Sequence, residues 1–160
     1  MNNIIDEKYS TTGLLIKDKP LVSIITVVYN GEQFLEETIQ SVTNQTYDNV
    51  EYVIIDGGST DGTINIIKKY TSNIDCWISE KDAGIYDAMN KGINLATGEW
   101  INFMNAGDLF YNDSVLKNIF SDDSIIDYSV IYSDTMLFSK EKNIRKISYA
   151  DFSIDRFVHQ

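Results

Sequence analysis

Four short apolar runs alternate with amphipathic segments along this chain, and that alternation restricts the fold more than any other feature. The runs are rich in β-branched residues, which favour strands buried on both faces, and the segments between them carry apolar residues at helical spacing. This order predicts an α/β fold with a mostly parallel, doubly wound sheet and helices on both faces. The predicted strands are residues 22–28, 52–55, 74–79 and 100–104, and the predicted helices are residues 32–43, 63–70, 85–97 and 114–120.

The length of 160 residues predicts a single domain. We expect residues 1–19 to form a lead-in segment and residues 20–160 to form the domain. Three further short strands are predicted after the fourth apolar run, over residues 129–132, 135–139 and 143–148.

The charge balance argues against a nucleic-acid partner. The formal net charge is -11, so a phosphate-rich surface is repelled. A phosphate ligand held through a divalent cation stays compatible with this charge, because clustered carboxylates attract the cation first. Cys76 is the only cysteine, which rules out an internal disulfide and favours a reducing, cytoplasmic setting. His159 is the only histidine, which argues against a Ser/His/Asp triad or a His-rich metal site in these residues.

Polar side chains follow three of the predicted strands at the points where the strands end. Asn30 follows the first strand, Asp56 ends the second, and Asp108 closes the turn Asn105-Ala106-Gly107-Asp108 after the fourth. A lone aspartate after a glycine is usually a turn former. The carboxyl ends of parallel strands meet at one edge, however, and open α/β sheets bind their ligands there. The sequence therefore predicts a ligand crevice at this edge.

The motifs at these strand ends, taken in order, are specific. The chain resembles the large family 2 of nucleotide-sugar glycosyltransferases, which have the GT-A fold, a Rossmann-like α/β sheet. The resemblance covers about residues 20–120. The matching segments are Val22-Ser23-Ile24-Ile25-Thr26-Val27-Val28-Tyr29-Asn30, Ser41-Val42-Thr43-Asn44-Gln45-Thr46-Tyr47, Glu51-Tyr52-Val53-Ile54-Ile55-Asp56-Gly57-Gly58-Ser59-Thr60-Asp61-Gly62-Thr63, Asp82-Ala83-Gly84-Ile85-Tyr86-Asp87-Ala88-Met89-Asn90-Lys91-Gly92, Ala96-Thr97-Gly98-Glu99-Trp100 and Asn105-Ala106-Gly107-Asp108.

The resemblance implies a nucleotide-base pocket at the ends of the first two strands. Val27 and Tyr29 would frame the base, and Asp56 would lie near the base and ribose, so Tyr29 and Asp56 should line one crevice. The alternatives are a core role for Val27 and a turn or helix cap for Asp56. Some family members carry an acidic residue that can accept a hydrogen bond from uracil where this chain has Gly57. Because this chain lacks that acceptor, the resemblance implies UDP as the preferred donor nucleotide but does not establish the base.

The helix after the third strand is implied to contact the sugar. Asp82, Asp87 and Asn90 lie on its preceding loop and first turns, where the family contacts ribose or donor-sugar hydroxyls. Asp87 and Asn90 share a helical face because they are three residues apart. The alternative is that the acidic residues complement the helix dipole.

The metal site is implied at the turn after the fourth strand. The family holds Mn²⁺ or Mg²⁺ on the donor diphosphate with an Asp-x-Asp type motif, and only Asp108 is a carboxylate at that place here. One carboxylate can suffice, since Mg²⁺ often takes one or two together with phosphates and water. Asn105 is implied to offer an amide oxygen to ribose.

No catalytic base is identified in the chain. The family base is an acidic residue well downstream of the metal motif, so we expect it beyond Gln160. Asp134, Asp151 and Asp155 are interpreted as solvated or capping residues. Phe157–Gln160 resemble the start of a further family segment, which predicts the N-terminal, nucleotide-sugar-binding part of an enzyme, truncated before the acceptor-side elements.

The implied function is transfer of a sugar from a nucleoside-diphosphate donor to a glycan or lipid-linked acceptor with inversion, as in bacterial surface polysaccharide synthesis. Peripheral association of the parent protein with the inner face of the membrane is implied too. Self-association is expected from apolar surface that truncation would expose. The alternatives are a non-catalytic nucleotide-sugar-binding module and a nucleotidyltransferase of related fold. A nucleotidyltransferase would need a glycine-rich loop with Lys or Arg after the first strand. This chain has Tyr29-Asn30-Gly31-Glu32 there, without a positive charge, which argues against that alternative.

Overall fold

A computed structural model describes residues 19–121, 129–131, 135–138 and 144–147. The chain divides into two compact units, residues 1–122 and residues 123–160. The first unit contains the strands β1 (Val22–Val28), β2 (Val50–Asp56), β3 (Cys76–Ser79) and β4 (Trp100–Phe103), and the helices α1 (Leu35–Thr43), α2 (Thr63–Lys69), α3 (Ile85–Leu95) and α4 (Val115–Phe120).

The first unit is built on a four-stranded parallel sheet with the order β3-β2-β1-β4, as the alternating pattern predicts. Every residue of β1 is buried, because this strand lies between two neighbours and is covered on both faces. Helices α1, α2 and α4 cover one face with Leu35, Ile39, Ile67 and Leu116, which pack with Ile24, Val28 and Ile54. Helix α3 covers the other face, where Ala88 packs with Ile25, Val27, Val53 and Ile55.

The element bounds differ from the sequence prediction mainly at the ends. Strand β2 begins at Val50, two residues before its apolar core, since its pairing with β1 begins with Val22 opposite Val50. Helix α1 begins at Leu35 and not at residue 32, because the carbonyl of Gly31 accepts hydrogen bonds from the amides of Phe34 and Leu35 and forms a separate turn. Strands β3 and β4 are shorter than predicted.

The second unit contains an antiparallel pair, β5 (Thr135–Phe138) and β6 (Ile144–Ile147), with Thr135 opposite Ile147. Both strands fall within predicted ones, whereas residues 129–131 form no strand, which corrects the prediction there. The lead-in over residues 1–18, and the residues Asp134, Asp151, Asp155 and His159, lie outside the described residues.

A partly buried polar network joins the loop before β4 to strands β1 and β2 at the edge opposite the predicted site. The Glu51 carboxylate accepts hydrogen bonds from the Ser23 hydroxyl and from the Thr97 amide and hydroxyl, each of the latter at 2.8 Å. Burial raises the pKa of the Glu51 carboxyl, but these hydrogen bonds and one from Gly98 outweigh it and hold the pKa below its ordinary value of 4.5.

Glu51→Gln is expected to destabilise the protein at pH 7 by about 1 kcal/mol, near the low end for hydrogen bonds to a charged group because the carboxylate is only partly buried. A folded-state pKa below the ordinary value of 4.5 means that this stability is present above pH 4.5 and is lost as the pH falls through the folded-state pKa. Urea unfolding at pH 7, 5 and 3.5 measures this. The difference from wild type should shrink at pH 3.5, while Glu37→Gln, at an exposed position, should change little at any pH.

Candidate active site

Hydrogen bonds join the loops after β1 and β2 at the carboxyl edge of the sheet. The Asn30 side-chain oxygen accepts from the Thr60 amide at 2.9 Å, and the Asn30 amide donates to the Ser59 hydroxyl at 2.7 Å. Asn30 has a φ of 50°, a left-handed conformation that asparagine tolerates better than most residues. The Gly31 amide donates to the Thr63 hydroxyl at 2.9 Å. These contacts hold the two loops together at the edge where the sequence predicts a ligand crevice.

The turn after β4 lies at the same edge of the sheet and presents Asp108. The Ala106 amide donates to the Val27 carbonyl at 3.2 Å, and the Gly107 amide donates to the Thr38 hydroxyl at 2.9 Å. Gly107 has a φ of 102°, which favours glycine at this point of the turn. The Asp108 amide donates to the Asn105 carbonyl at 2.8 Å, and the Asp108 side chain is exposed. The turn therefore holds a free carboxylate at the predicted edge.

Asn105 has a buried side-chain oxygen that accepts no hydrogen bond from the described part of the chain. A buried amide oxygen without a donor is unfavourable by about 1 to 3 kcal/mol, so such an atom usually has a ligand, an ion or a water as its partner. Asn105 and Asp108 lie on one turn, and both offer the hard oxygen atoms that Mn²⁺ and Mg²⁺ prefer. The residues present thus fit a divalent cation, with a diphosphate as its natural co-ligand.

Asp56 has a different setting from Asp108. Its side chain is fully buried, and Oδ2 accepts from the amides of Gly58 and Ser59 at 3.1 and 3.0 Å and from the Ser79 hydroxyl at 2.7 Å. Within residues 19–121, Oδ1 has no hydrogen-bond partner. This carboxylate organises the turn after β2, as the alternative interpretation predicts. It does not line a crevice with the exposed Tyr29, which corrects that expectation, and its contact with base or ribose stays a prediction.

Val27 and Tyr29 have opposite environments at the end of β1. The Val27 side chain is 5% exposed and packs between the sheet and α3, so a nucleotide contact by this residue falls to its backbone. Tyr29 is 65% exposed, with its ring free to stack on a planar ligand.

The loop before α3 is held by its acidic residues and by one lysine. The Asp87 carboxylate accepts from the Ala83 amide at 3.0 Å, and Lys91 lies 2.9 Å from Glu80 and 3.5 Å from Asp87. The hydrogen bond from Ala83 lowers the pKa of Asp87, burial opposes this, and the Lys91 charge lowers it further. Asp87 thus stabilises the start of α3, as the dipole alternative predicts. Asn90 is exposed on α3.

One contact in the crevice is not evident from the sequence. A Cβ atom added to Gly57 would lie 2.7 Å from Asp82 Oδ2, so the Asp82 carboxylate lies directly over Gly57. The one sign of this contact in the sequence is Gly57 itself, because a glycine after a buried strand leaves space for another group to approach its backbone. The structure therefore brings Asp82 from the loop after β3 to the end of β2.

The chain belongs to glycosyl transferase family 2, whose pattern matches residues 23–157. A PGL/p-HBAD biosynthesis glycosyltransferase of Mycobacterium bovis is 37% identical over 103 residues, which cover 62% of this chain and 40% of that relative. The chain thus spans less than half the length of this curated relative.

Solved structures of GT-A glycosyltransferases share the fold, which confirms the predicted class. S. aureus TarS in complex with UDP-GlcNAc aligns with a TM-score of 0.56 and 27% identity, over 61% of this chain and 29% of that one. The mannosyltransferase PcManGT from Pyrobaculum calidifontis, in complex with GDP-Man and Mn²⁺, aligns with a TM-score of 0.59 and 27% identity, over 63% of this chain and 31% of that one.

The described residues contain neither a membrane-spanning helix nor a cluster of metal-binding side chains. No helix there is long and apolar enough to cross a membrane. Nor does that part of the chain contain a group of three or more His, Cys, Asp or Glu side chains placed to hold a metal ion.

Proposed function

We propose that this chain binds the nucleoside-diphosphate sugar of an inverting glycosyltransferase, with UDP as the preferred nucleotide and a glycan or lipid-linked molecule as acceptor. The observation that carries the proposal is the turn after β4. It places the exposed Asp108 carboxylate and the unpartnered Asn105 oxygen at the carboxyl edge of a parallel sheet. That edge is where such sheets bind their ligands.

Asp108 and Asn105 would hold Mn²⁺ or Mg²⁺. When bound, the cation stabilises negative charge on the leaving diphosphate. The turn, held by the Thr38 hydroxyl and the Val27 carbonyl, presents the exposed Asp108 carboxylate to the cation. The buried Asn105 oxygen would have to turn outward to join it. The Tyr29 ring supplies a stacking surface for the base, and Asn90, exposed on α3, is placed for contact with sugar hydroxyls.

The binding partners of the neighbours support the choice of donor. TarS was solved with UDP-GlcNAc, and PcManGT with GDP-Man and Mn²⁺. The proposal extends to surface polysaccharide synthesis in the cytoplasm, at the inner face of the membrane. It includes self-association, which is favoured by the exposed apolar side chains Ile101 and Phe103 on β4.

Calorimetry of the purified chain tests this function. UDP is expected to bind in the presence of Mn²⁺ and to bind more than about tenfold more weakly when EDTA replaces the metal, because the cation neutralises the diphosphate beside an acidic protein. Absence of measurable binding by both UDP and GDP in Mn²⁺ would contradict the proposal.

A further inference from the structure

Loop 80–82 packs closely on the backbone that follows β2. The Asp82 carboxylate lies over Gly57, with Oδ2 and Oδ1 at 2.7 and 3.3 Å from the position of an added Cβ. A Cβ on Gly58 would lie 3.3 Å from the Lys81 amide nitrogen. The Glu80 amide donates to the Asp56 carbonyl at 3.0 Å, which joins the same loop to the end of β2. The Asp82 carboxylate is thus fixed above a backbone surface that carries no side chain.

Tyr29 lies on the same side of the sheet as this carboxylate. Val27 of β1 and Ile55 of β2 both face α3. The Gly57 amide donates to the Val28 carbonyl at 2.9 Å, so the strand pairing extends past the last residue of β2. Side chains alternate between the two faces along a strand, and Tyr29 and Gly57 lie two residues after Val27 and Ile55. Positions 29 and 57 therefore lie on the face that α3 covers. An exposed aromatic ring and a carboxylate therefore border one space.

The Asp82 carboxylate has one oxygen in use and one available. Oδ1 accepts from the Gly84 amide at 3.0 Å, whereas Oδ2 accepts no hydrogen bond within residues 19–121. Lys91 bonds the Lys81 carbonyl at 3.4 Å and pairs with Glu80, which holds the loop in place. Gly84, with a φ of 124°, lets the loop turn into α3. Oδ2 is therefore a positioned acceptor, and an ionised carboxylate offers no donor.

Resting on the proposed function, we infer that Asp82 selects the base of the donor nucleotide. The base stacks on Tyr29 and donates its ring N–H to Asp82 Oδ2. Uracil, thymine and guanine carry such a ring N–H, whereas cytosine and adenine present a lone pair at the corresponding nitrogen, which the carboxylate repels. Sites built on a polar contact reject analogues that cannot complete it, since the protein group is then left unpaired. The site should accept uracil-type and guanine-type donors and reject those of cytosine and adenine.

Binding of UDP, GDP, CDP and ADP in Mn²⁺ by calorimetry tests the inference on the full chain. Wild type is expected to bind UDP or GDP more than about tenfold tighter than CDP and ADP, a preference of about 1.4 kcal/mol. Asp82→Asn, whose amide can both donate and accept, should reduce the preference for UDP over CDP to about threefold or less. Asp48→Asn makes the same charge change at an exposed position near the amino end of β2, and should keep the wild-type preference.

A second pair of variants separates base selection from loop structure. Asp82→Ala should lose the preference, and the double change Gly57→Asp with Asp82→Ala should regain at least part of it. The added side chain would occupy the vacated space, and Gly57 does not have a left-handed φ. Far-UV circular dichroism and the melting temperature confirm that each variant folds.

Two results would overturn the inference. If Asp82→Asn binds UDP in Mn²⁺ with the wild-type preference over CDP, Asp82 does not select the base, and the proposed function stands. If wild type binds CDP or ADP as tightly as UDP and GDP, the inference also fails while nucleotide binding stands. Absence of binding by all four nucleotides overturns the proposed function together with the inference.

Discussion

Replacing Asp108 with asparagine is expected to weaken UDP binding in Mn²⁺ by more than tenfold, or about 1.4 kcal/mol. The exposed carboxylate is the charged oxygen donor on the turn after β4, and a neutral amide oxygen is a poorer ligand for a hard cation. The turn should survive the change, since it is held by backbone amides and the Thr38 hydroxyl and uses no Asp108 side-chain atom. Calorimetry in Mn²⁺ and in EDTA measures the effect, which should appear only with the metal.

Asp113→Asn is the matched control for this variant. Asp113 is exposed farther along the same loop, and its backbone carbonyl accepts from the amide and the hydroxyl of Thr46, while its side chain makes no hydrogen bond within residues 19–121. The control removes one negative charge from the same loop without removing the proposed ligand. Equal losses in the two variants would assign the effect to long-range charge, and unchanged affinity of Asp108→Asn in Mn²⁺ would remove Asp108 from the site.

The sheet could be predicted from the sequence because its physical signals are local and mutually consistent. Strand β1 contains Val, Ile and Thr apart from Ser23, which fits only a strand covered on both faces, and its complete burial bears this out. Alternation of such runs with amphipathic helices then leaves few topologies. Helix ends were less predictable, since α1 begins after a turn closed by the Gly31 carbonyl, and several polar residues there would have fitted an earlier start.

The separate roles of the acidic residues could not be predicted from the sequence, because these roles depend on distances between loops. Asp56 ends β2 and Asp108 lies in the turn after β4, yet Asp56 is fully buried by a turn that bonds its carboxylate and Asp108 is exposed. Asp82 and Gly57 are far apart in sequence, and only the parallel pairing of β2 with β3 brings their loops together. A sequence shows which residues can bind a cation or a base, while the folded loops decide which of them remain available.

The different settings of these carboxylates predict opposite consequences for their removal. Asp108 is exposed, so its loss should lower affinity with little change in stability. Asp56 is buried at the end of the central pair of strands and accepts three hydrogen bonds, so its loss should act mainly on folding.

Asp56→Ala is expected to lower the free energy of unfolding by about 3 to 5 kcal/mol, because it leaves two amides and one hydroxyl without their acceptor in a buried site. Urea unfolding at pH 7 measures the loss. Asp56→Asn is the matched control: its amide oxygen can still accept from Gly58, Ser59 and Ser79, so we expect less than half of that loss. The UDP affinity of any Asp56→Ala protein that stays folded tests separately whether the carboxylate also contacts the base or ribose. If Asp56→Ala instead keeps wild-type stability and loses UDP affinity, the carboxylate serves the ligand and the turn does not depend on it.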